Sequence, residues 1–171
     1  MNARRLLLSA RTLAVIATSL VPLFSPAQPQ GDGNRVQKIG VLFPLTGDAS
    51  SYGQKGRRAI EMAVDDCNAL PGAANRIITS VFEDSKGNAK DGVSAAQKLI
   101  TVDKVPAMLG DAVSAVTLPL AAIAEANRVV LVSPTSSAPA ISQAGKHIYR
   151  IWPSDLTEGK AAAEYAVSKW V

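Results

Sequence analysis

Residues 36–69 read VQKIGVLFPLTGDASSYGQKGRRAIEMAVDDCNA, and the change of rhythm inside this stretch decides the fold. Val36 to Phe43 is a run rich in β-branched and aromatic residues that stops abruptly at Pro44, the pattern of a buried strand. From Tyr52 to Ala69 the rhythm changes. Ile60, Ala63, Val64 and Cys67 recur at i, i+3, i+4 and i+7, while Arg57, Arg58, Glu61, Asp65 and Asp66 fall on the other side. That spacing predicts a helix whose inward face carries Cys67 as an inert packing residue, ended by Leu70-Pro71-Gly72.

The same alternation runs to the end of the chain. Strands are expected at Arg76 to Glu83, Val105 to Leu109, Val129 to Val132 and Ile148 to Ile151. Helices are expected at Asn88 to Ile100, Ser114 to Ala126 and Asp155 to Trp170, with Val93, Ala96, Val116, Leu120 and Ile123 among their inward residues. Pro119 falls in the first turn or so of its helix, where a missing N–H costs little. Strands alternating with helices of this length mean βαβ crossovers and a parallel sheet covered on both faces, an α/β lobe of three layers.

Met1 to Ala27 reads as a secretory signal peptide. Arg4, Arg5 and Arg11 form a basic start, Thr12 to Phe24 an apolar run too short to cross a bilayer comfortably, and Ser25-Pro26-Ala27 a small-x-small cleavage site. A retained membrane anchor is the competing reading of the segment, and Arg4-Arg5 leaves a twin-arginine route beside the general one. No cysteine stands directly after the apolar run, which speaks against a lipoprotein. The whole chain holds 18 Lys and Arg against 14 Asp and Glu, and the signal carries three of those arginines and no acid. The excess therefore nearly vanishes after cleavage. Without clustered Lys and Arg there is no electrostatic case for nucleic acid or an anionic membrane as partner. Residues 28–35 are a polar linker, and the stretch from Val36 to Val171 is long enough for one domain with a real core. The single Cys67 excludes an internal disulfide framework.

In open α/β sheets ligands bind beyond the carboxyl ends of the strands. Three loops there share one character: Pro44-Leu45-Thr46-Gly47-Asp48-Ala49-Ser50-Ser51-Tyr52-Gly53, Gly110-Asp111-Ala112-Val113-Ser114, and Ser133-Pro134-Thr135-Ser136-Ser137. Small hydroxyls and helix N-terminal amides on converging loops suit a compact anion such as a carboxylate. Ser and Thr are also the common N-caps, which accounts for Ser50, Ser114 or Ser137 taken singly; recurrence on three loops of one edge is what favours a site.

Other chemistry is missing from the sequence. Gly47, Gly53 and Gly56 do not match the dinucleotide fingerprint, and there is no phosphate-binding P-loop, so no cofactor is expected. There is no nucleophile elbow and no metal-ligand spacing; His147 reads as a surface residue, and Glu83-Asp84 as a solvated loop. No nucleophile, base and orienter gather on these loops, so the chain is not expected to be an enzyme.

Three ordered segments carry a resemblance: IGVLFPLTGDASSYGQKGRRAIEMAVDDCNA, GDAVSAVTLPLAAIAEANRVVLVSPTSSAPAIS and YRIWPSDLTEGKAAAEYAV. Together they resemble the branched-chain amino-acid-binding family of periplasmic ABC-transporter receptors, of the type I periplasmic-binding fold. The resemblance spans Val36 to Trp170. It implies a small-molecule ligand such as an amino acid or related carboxylate or amide, an ABC permease in the inner membrane as partner, and no catalytic step. By position, Ser114 matches the family serine that holds the ligand carboxylate, and Ser137 the Thr/Ser that touches the ligand's α-substituents. Ser136 matches a position of backbone contacts, and Tyr52 the aromatic that lies against the ligand. Val113 and Thr135 depart from the pattern.

Family members have two lobes joined by three crossovers. On that pattern residues 36–153 correspond to the N-terminal lobe, incomplete, and 154–171 to the first crossover and first helix of a second lobe that is missing, with Leu156, Ala163, Ala166 and Trp170 as an unpartnered apolar stripe. The resemblance thus implies a truncated receptor. Two rival functions stand beside uptake: the ligand-sensing ectodomain of a signalling receptor, and a secreted α/β enzyme.

Overall fold

β1 (Arg35–Phe43) pairs in parallel with β2 (Arg76–Asp84) over nine residues, from Arg35 opposite Arg76 to Phe43 opposite Asp84. This is the long seam of the computed structural model, which describes residues 35–73 and 76–170. The expected signal peptide, Met1 to Ala27, and the linker up to residue 34 lie outside the described residues. On its other side β1 pairs with β3 (Ala107–Gly110), which leads to β4 (Val130–Ser133) and β5 (Ile148–Arg150), all parallel. The sheet order is β2-β1-β3-β4-β5.

The helices are α1 (Ser50–Ala69), α2 (Ala89–Thr101), α3 (Ser114–Asn127) and α4 (Asp155–Trp170), with a short 3-10 helix at Pro139–Gln143. The strand order reverses direction after β2, so right-handed crossovers place α1 on one face and α2 and α3 on the other. Consecutive strand residues point to opposite faces, and β1 shows the split. Leu42 joins the core under α2 and α3 with Ala96, Leu99, Met108, Val116, Leu120 and Leu131. Its neighbour Phe43 meets Gly56 of α1. Each fully buried leucine of that core contributes about 1.5–3 kcal/mol.

Periodicity misplaced some helix faces by one residue. On α1, Ile60 and Val64 are half-buried, as expected, but Ala63 and Cys67 are exposed, so the expected inward packing of Cys67 is corrected. The physical reason is that α1 is set down by residues that carry no hydrophobic signal. A Cβ on Gly53 would stand 2.0 Å from the Pro44 carbonyl oxygen, and one on Gly56 would stand 2.8 Å from the Phe43 ring. At the far end the Asn68 amide donates to the Ile78 carbonyl at 2.9 Å and accepts the Ile78 N–H at 2.8 Å, which occupies backbone groups of the edge strand β2. Arg57 and Glu61, expected on the solvent face, are half-buried, and the Arg57 guanidinium lies 4.8 Å over the Phe82 ring while bonding Glu61 at 2.8 Å. On α2 the buried face is Gly92, Ala95, Ala96 and Leu99, and Asn88 is its N-cap, accepting the Asp91 N–H at 2.9 Å. Pro119 sits in the second turn of α3.

The α1 layer is narrow. Over the β3 and β4 half of that face an apolar groove of about 460 Å³ stays open, walled by Phe43, Ile60, Leu109, Val132 and Ile151. Helix α4 buries none of its residues: Leu156, Ala163 and Trp170 are exposed and Ala166 is half-buried. No described helix is long and apolar enough to cross a membrane.

Candidate ligand-binding site

The order β2-β1-β3-β4-β5 has its switch point between β1 and β3, where chains leave toward opposite faces and open a crevice. The β1 side of that crevice is organised by Asp84. Its Oδ1 accepts the N–H groups of Leu45 (2.8 Å), Thr46 (3.3 Å) and Lys86 (2.8 Å), and its Oδ2 accepts the Thr46 hydroxyl at 2.5 Å. Burial by itself raises this carboxyl's pKa, but the bonds from the Thr46 hydroxyl and the Lys86, Leu45 and Thr46 amides outweigh it and hold the pKa below the usual carboxylate value. Asp84 is therefore not the solvated loop residue expected of it. It is a carboxylate that shapes the turn leading to Tyr52, whose ring stands 72% exposed two residues into α1.

The β3 side is organised by Asp111, fully buried. Its carbonyl oxygen lies 3.1 Å from the Thr117 hydroxyl and 3.0 Å from those of Ser133 and Ser136. The Thr117 and Ser136 hydroxyls are themselves 2.7 Å apart. One carbonyl thus gathers side chains from α3, the end of β4 and the loop after it. The Asp111 side chain accepts the Val113 N–H at Oδ1 (2.8 Å), while Oδ2 has no partner in good hydrogen-bond geometry. Burial pushes this carboxyl's pKa up, against the opposing effects of the Ser85 hydroxyl and the Val113 and Ala112 amides, with the Asp84 charge adding to the rise.

Of the four expected site residues, Ser136 is 1% exposed and its hydroxyl is committed to these internal bonds. Its N–H is bonded to the Ser133 hydroxyl at 3.2 Å, so what it can offer a ligand is its main-chain carbonyl, within the backbone contacts the resemblance implied. Ser114 is the first residue of α3 but not its cap. Val113 holds the cap position, and no side-chain cap bond is made there. The Ser114 Oγ instead accepts the Ala138 N–H at 3.3 Å, joining the β3 and β4 loops and leaving its own proton to donate. The first N–H groups of a helix lack intrahelical acceptors, so Ser114 combines a hydroxyl and an amide at the positive end of α3. Ser137 is half-buried on the facing loop, its carbonyl taken by the Asp155 N–H and an Arg150 Nη1, both at 3.0 Å.

Tyr52 lines a cavity of about 470 Å³ with Ala49, Ala112, Val113, Thr135 and Trp152. Val113 and Thr135 of this wall directly neighbour Ser114 and Ser136 in the chain, so the cavity adjoins the three serines without being walled by them. Trp152 was not among the expected site residues. Its signal was a tryptophan just past the last strand, a place that in sequence marks only a boundary. Another titratable pair has no residue in the cavity wall: the Glu125 carboxylate accepts the His147 backbone N–H at 2.9 Å, and the His147 ring Nδ1 lies 3.1 Å from the same oxygen. Among the described residues no three His, Cys, Asp or Glu side chains cluster as metal ligands. The site offers neutral hydrogen-bond donors and aromatic surface, which suits binding.

Comparison with known proteins identifies the family. The family model described as periplasmic binding protein matches residues 36–170. The Leu/Ile/Val-binding protein BraC3 of Rhizobium johnstonii is 30% identical over 133 residues, which is 77% of this chain and 36% of that protein. Among solved structures, the branched-chain amino acid transporter substrate binding protein LivJ of Streptococcus pneumoniae, in complex with isoleucine, superposes with a TM-score of 0.73 at 28% identity, covering 79% of this chain and 39% of that one. The leucine binding protein LivK of Thermotoga maritima gives 0.69 at 32% identity, covering 76% and 36%. The chain thus spans little more than a third of the length of these relatives.

Proposed function

Because the chain belongs to the periplasmic binding protein family, a family of non-catalytic binding proteins, we propose that it is the solute-binding component of an ABC uptake system for amino acids or related small carboxylates and amides. In this reading residues 36–153 are the first ligand-binding lobe, and 154–171 are the crossover and first helix of a second. Met1 to Ala27 directs export to the periplasm, and an ABC permease in the inner membrane receives the ligand. The names of relatives that bind leucine, isoleucine and valine support the ligand class.

The observation that carries the proposal is Ser114. Its amide and hydroxyl proton stand together at the start of α3, beside a cavity with no charged side chain in its wall. A ligand carboxylate there meets donors and the helix dipole without displacing an internal ion pair. In this reading the Ser137 hydroxyl, which bonds no other described residue, meets the ligand from the β4 loop, Ser136 offers its main-chain carbonyl, and Tyr52 covers the ligand's body. The test is titration of the chain with L-leucine, L-isoleucine and L-valine, followed for backbone amides by two-dimensional NMR. The expected result is shifts clustered at Ser114, Ser137 and Tyr52, with Ser114→Ala weakening binding about 10-fold to 100-fold, the range for one hydrogen bond to a charged group. Unchanged affinity in that variant would remove Ser114 from the site.

A further inference from the structure

We propose that Tyr52 and Trp152 form an aromatic clamp in this cavity, and that the chain prefers small carboxylates whose body is an aromatic ring over those with a branched aliphatic one. This rests on the carboxylate reading above and narrows it. Two large rings line one 470 Å³ cavity whose other walls are Ala49, Ala112, Val113 and Thr135, a volume within the roughly 300–1,000 Å³ of small-molecule sites. Both rings are substantially open, Tyr52 at 72% and Trp152 at 48% exposure, so their surfaces are free for a ligand.

Each ring is carried on pinned backbone. Trp152 lies on a strap tied at both ends to the loop that bears the serines: the Ile151 N–H bonds the Ser133 carbonyl and the Asp155 N–H bonds the Ser137 carbonyl, each at 3.0 Å. Next to it the Arg150 guanidinium spans the Ser137 and Ala138 carbonyls (3.0 and 3.1 Å) and the Ser142 hydroxyl (2.6 Å). Tyr52 precedes Gly53, whose contact with the Pro44 carbonyl leaves no room for a Cβ and so sets where the first turn of α1 lies. Backbone held in place before binding loses little freedom when a ligand arrives. Aromatic rings gain more from a ring between or beside them than from an aliphatic group of like area, because ring faces and edges carry opposite partial charge. The Tyr52 hydroxyl and the Trp152 indole N–H bond to no other described residue, which leaves both for polar substituents of the ligand's ring.

The experiment titrates the chain with two matched pairs, L-phenylalanine against L-leucine and phenylacetate against 4-methylpentanoate. The aromatic member of each pair is expected to bind about 2-fold to 10-fold more tightly. Trp152→Leu and Tyr52→Leu each reduce that preference toward unity, and Trp152→Phe keeps most of it. Both positions are open to solvent, so these variants fold, and circular dichroism verifies it. Equal binding within both pairs, or a preference untouched by Trp152→Leu, overturns the clamp. Ser114→Ala on the same four acids reads the carboxylate anchor separately: a ring preference that persists while this variant binds all four unchanged sinks the anchor and leaves the clamp. Failure of all four acids to bind overturns both.

Discussion

The Ser136 hydroxyl lies 3.0 Å from the Asp111 carbonyl oxygen, across 25 residues of sequence, and ties the loop after β4 to the loop after β3. Ser137, next in the chain, points no hydroxyl bond at any described residue. Two adjacent serines thus have opposite duties. Ser136→Ala leaves buried partners short of a hydrogen bond and is expected to cost about 1–3 kcal/mol of stability. Ser137→Ala is expected to stay within about 0.5 kcal/mol of the parent while weakening ligand binding. Urea denaturation of the two variants checks the contrast, and equal loss of stability in both would show that the junction at Asp111 does not depend on Ser136.

The two buried-edge carboxylates are expected to respond to pH in opposite directions. Asp84 has its pKa lowered in the folded chain, so its contribution to stability is present above the unfolded carboxylate value and disappears as pH falls through the folded one. Asp111 has its pKa raised, so the folded state holds the proton more tightly and stability declines as pH rises from the unfolded value through the folded one. Asp111→Asn retains an acceptor for the Val113 N–H and removes the buried charge. It is expected to be at least as stable as the parent at pH 7, with the difference shrinking as pH approaches about 4, where an ordinary carboxyl is protonated. Urea midpoints at pH 7, 5.5 and 4 decide it; a gap that widens on acidification would show that the parent's Asp111 is not the strained group.

Strand and helix positions were legible because their cause is local. The β-branched run ending at Pro44 and the helix spacing after Tyr52 need no knowledge of distant residues. The facing of α1 was not legible, because counting apolar residues weighed Ala63 and Cys67 while the helix is seated by Gly53, Gly56 and the Asn68 bonds to Ile78. Asp84 was misread for the same reason: its partners Leu45 and Thr46 lie 39 and 38 residues away. The three hydroxyl-rich loops were found, but Ser136 and Ser137 look alike in sequence. Only packing separates the buried one from the available one.

Gly53 and Gly159 show that a glycine in a helix is read by its surroundings. A Cβ on Gly53 would lie 2.0 Å from the Pro44 carbonyl oxygen and 2.5 Å from its carbon, both backbone atoms with little room to move. Gly53→Ala must push the start of α1 away from β1, with an expected cost of at least the roughly 1–3 kcal/mol typical of overpacking. Because Tyr52 precedes it on the same turn, the aromatic wall of the cavity shifts too, and ligand affinity falls along with stability. Gly159 has nothing within 4 Å of a Cβ and lies in α4, none of whose residues is buried. Gly159→Ala therefore gains the roughly 1 kcal/mol helix preference of alanine within α4 alone. Far-ultraviolet circular dichroism is expected to show more helix, while the urea midpoint of the sheet and its core stays in place, reported by near-ultraviolet signals and NMR shifts from Leu42, Leu99 and Leu131. A midpoint that rises with Gly159→Ala would mean that α4 unfolds together with the sheet, and so packs on it in solution.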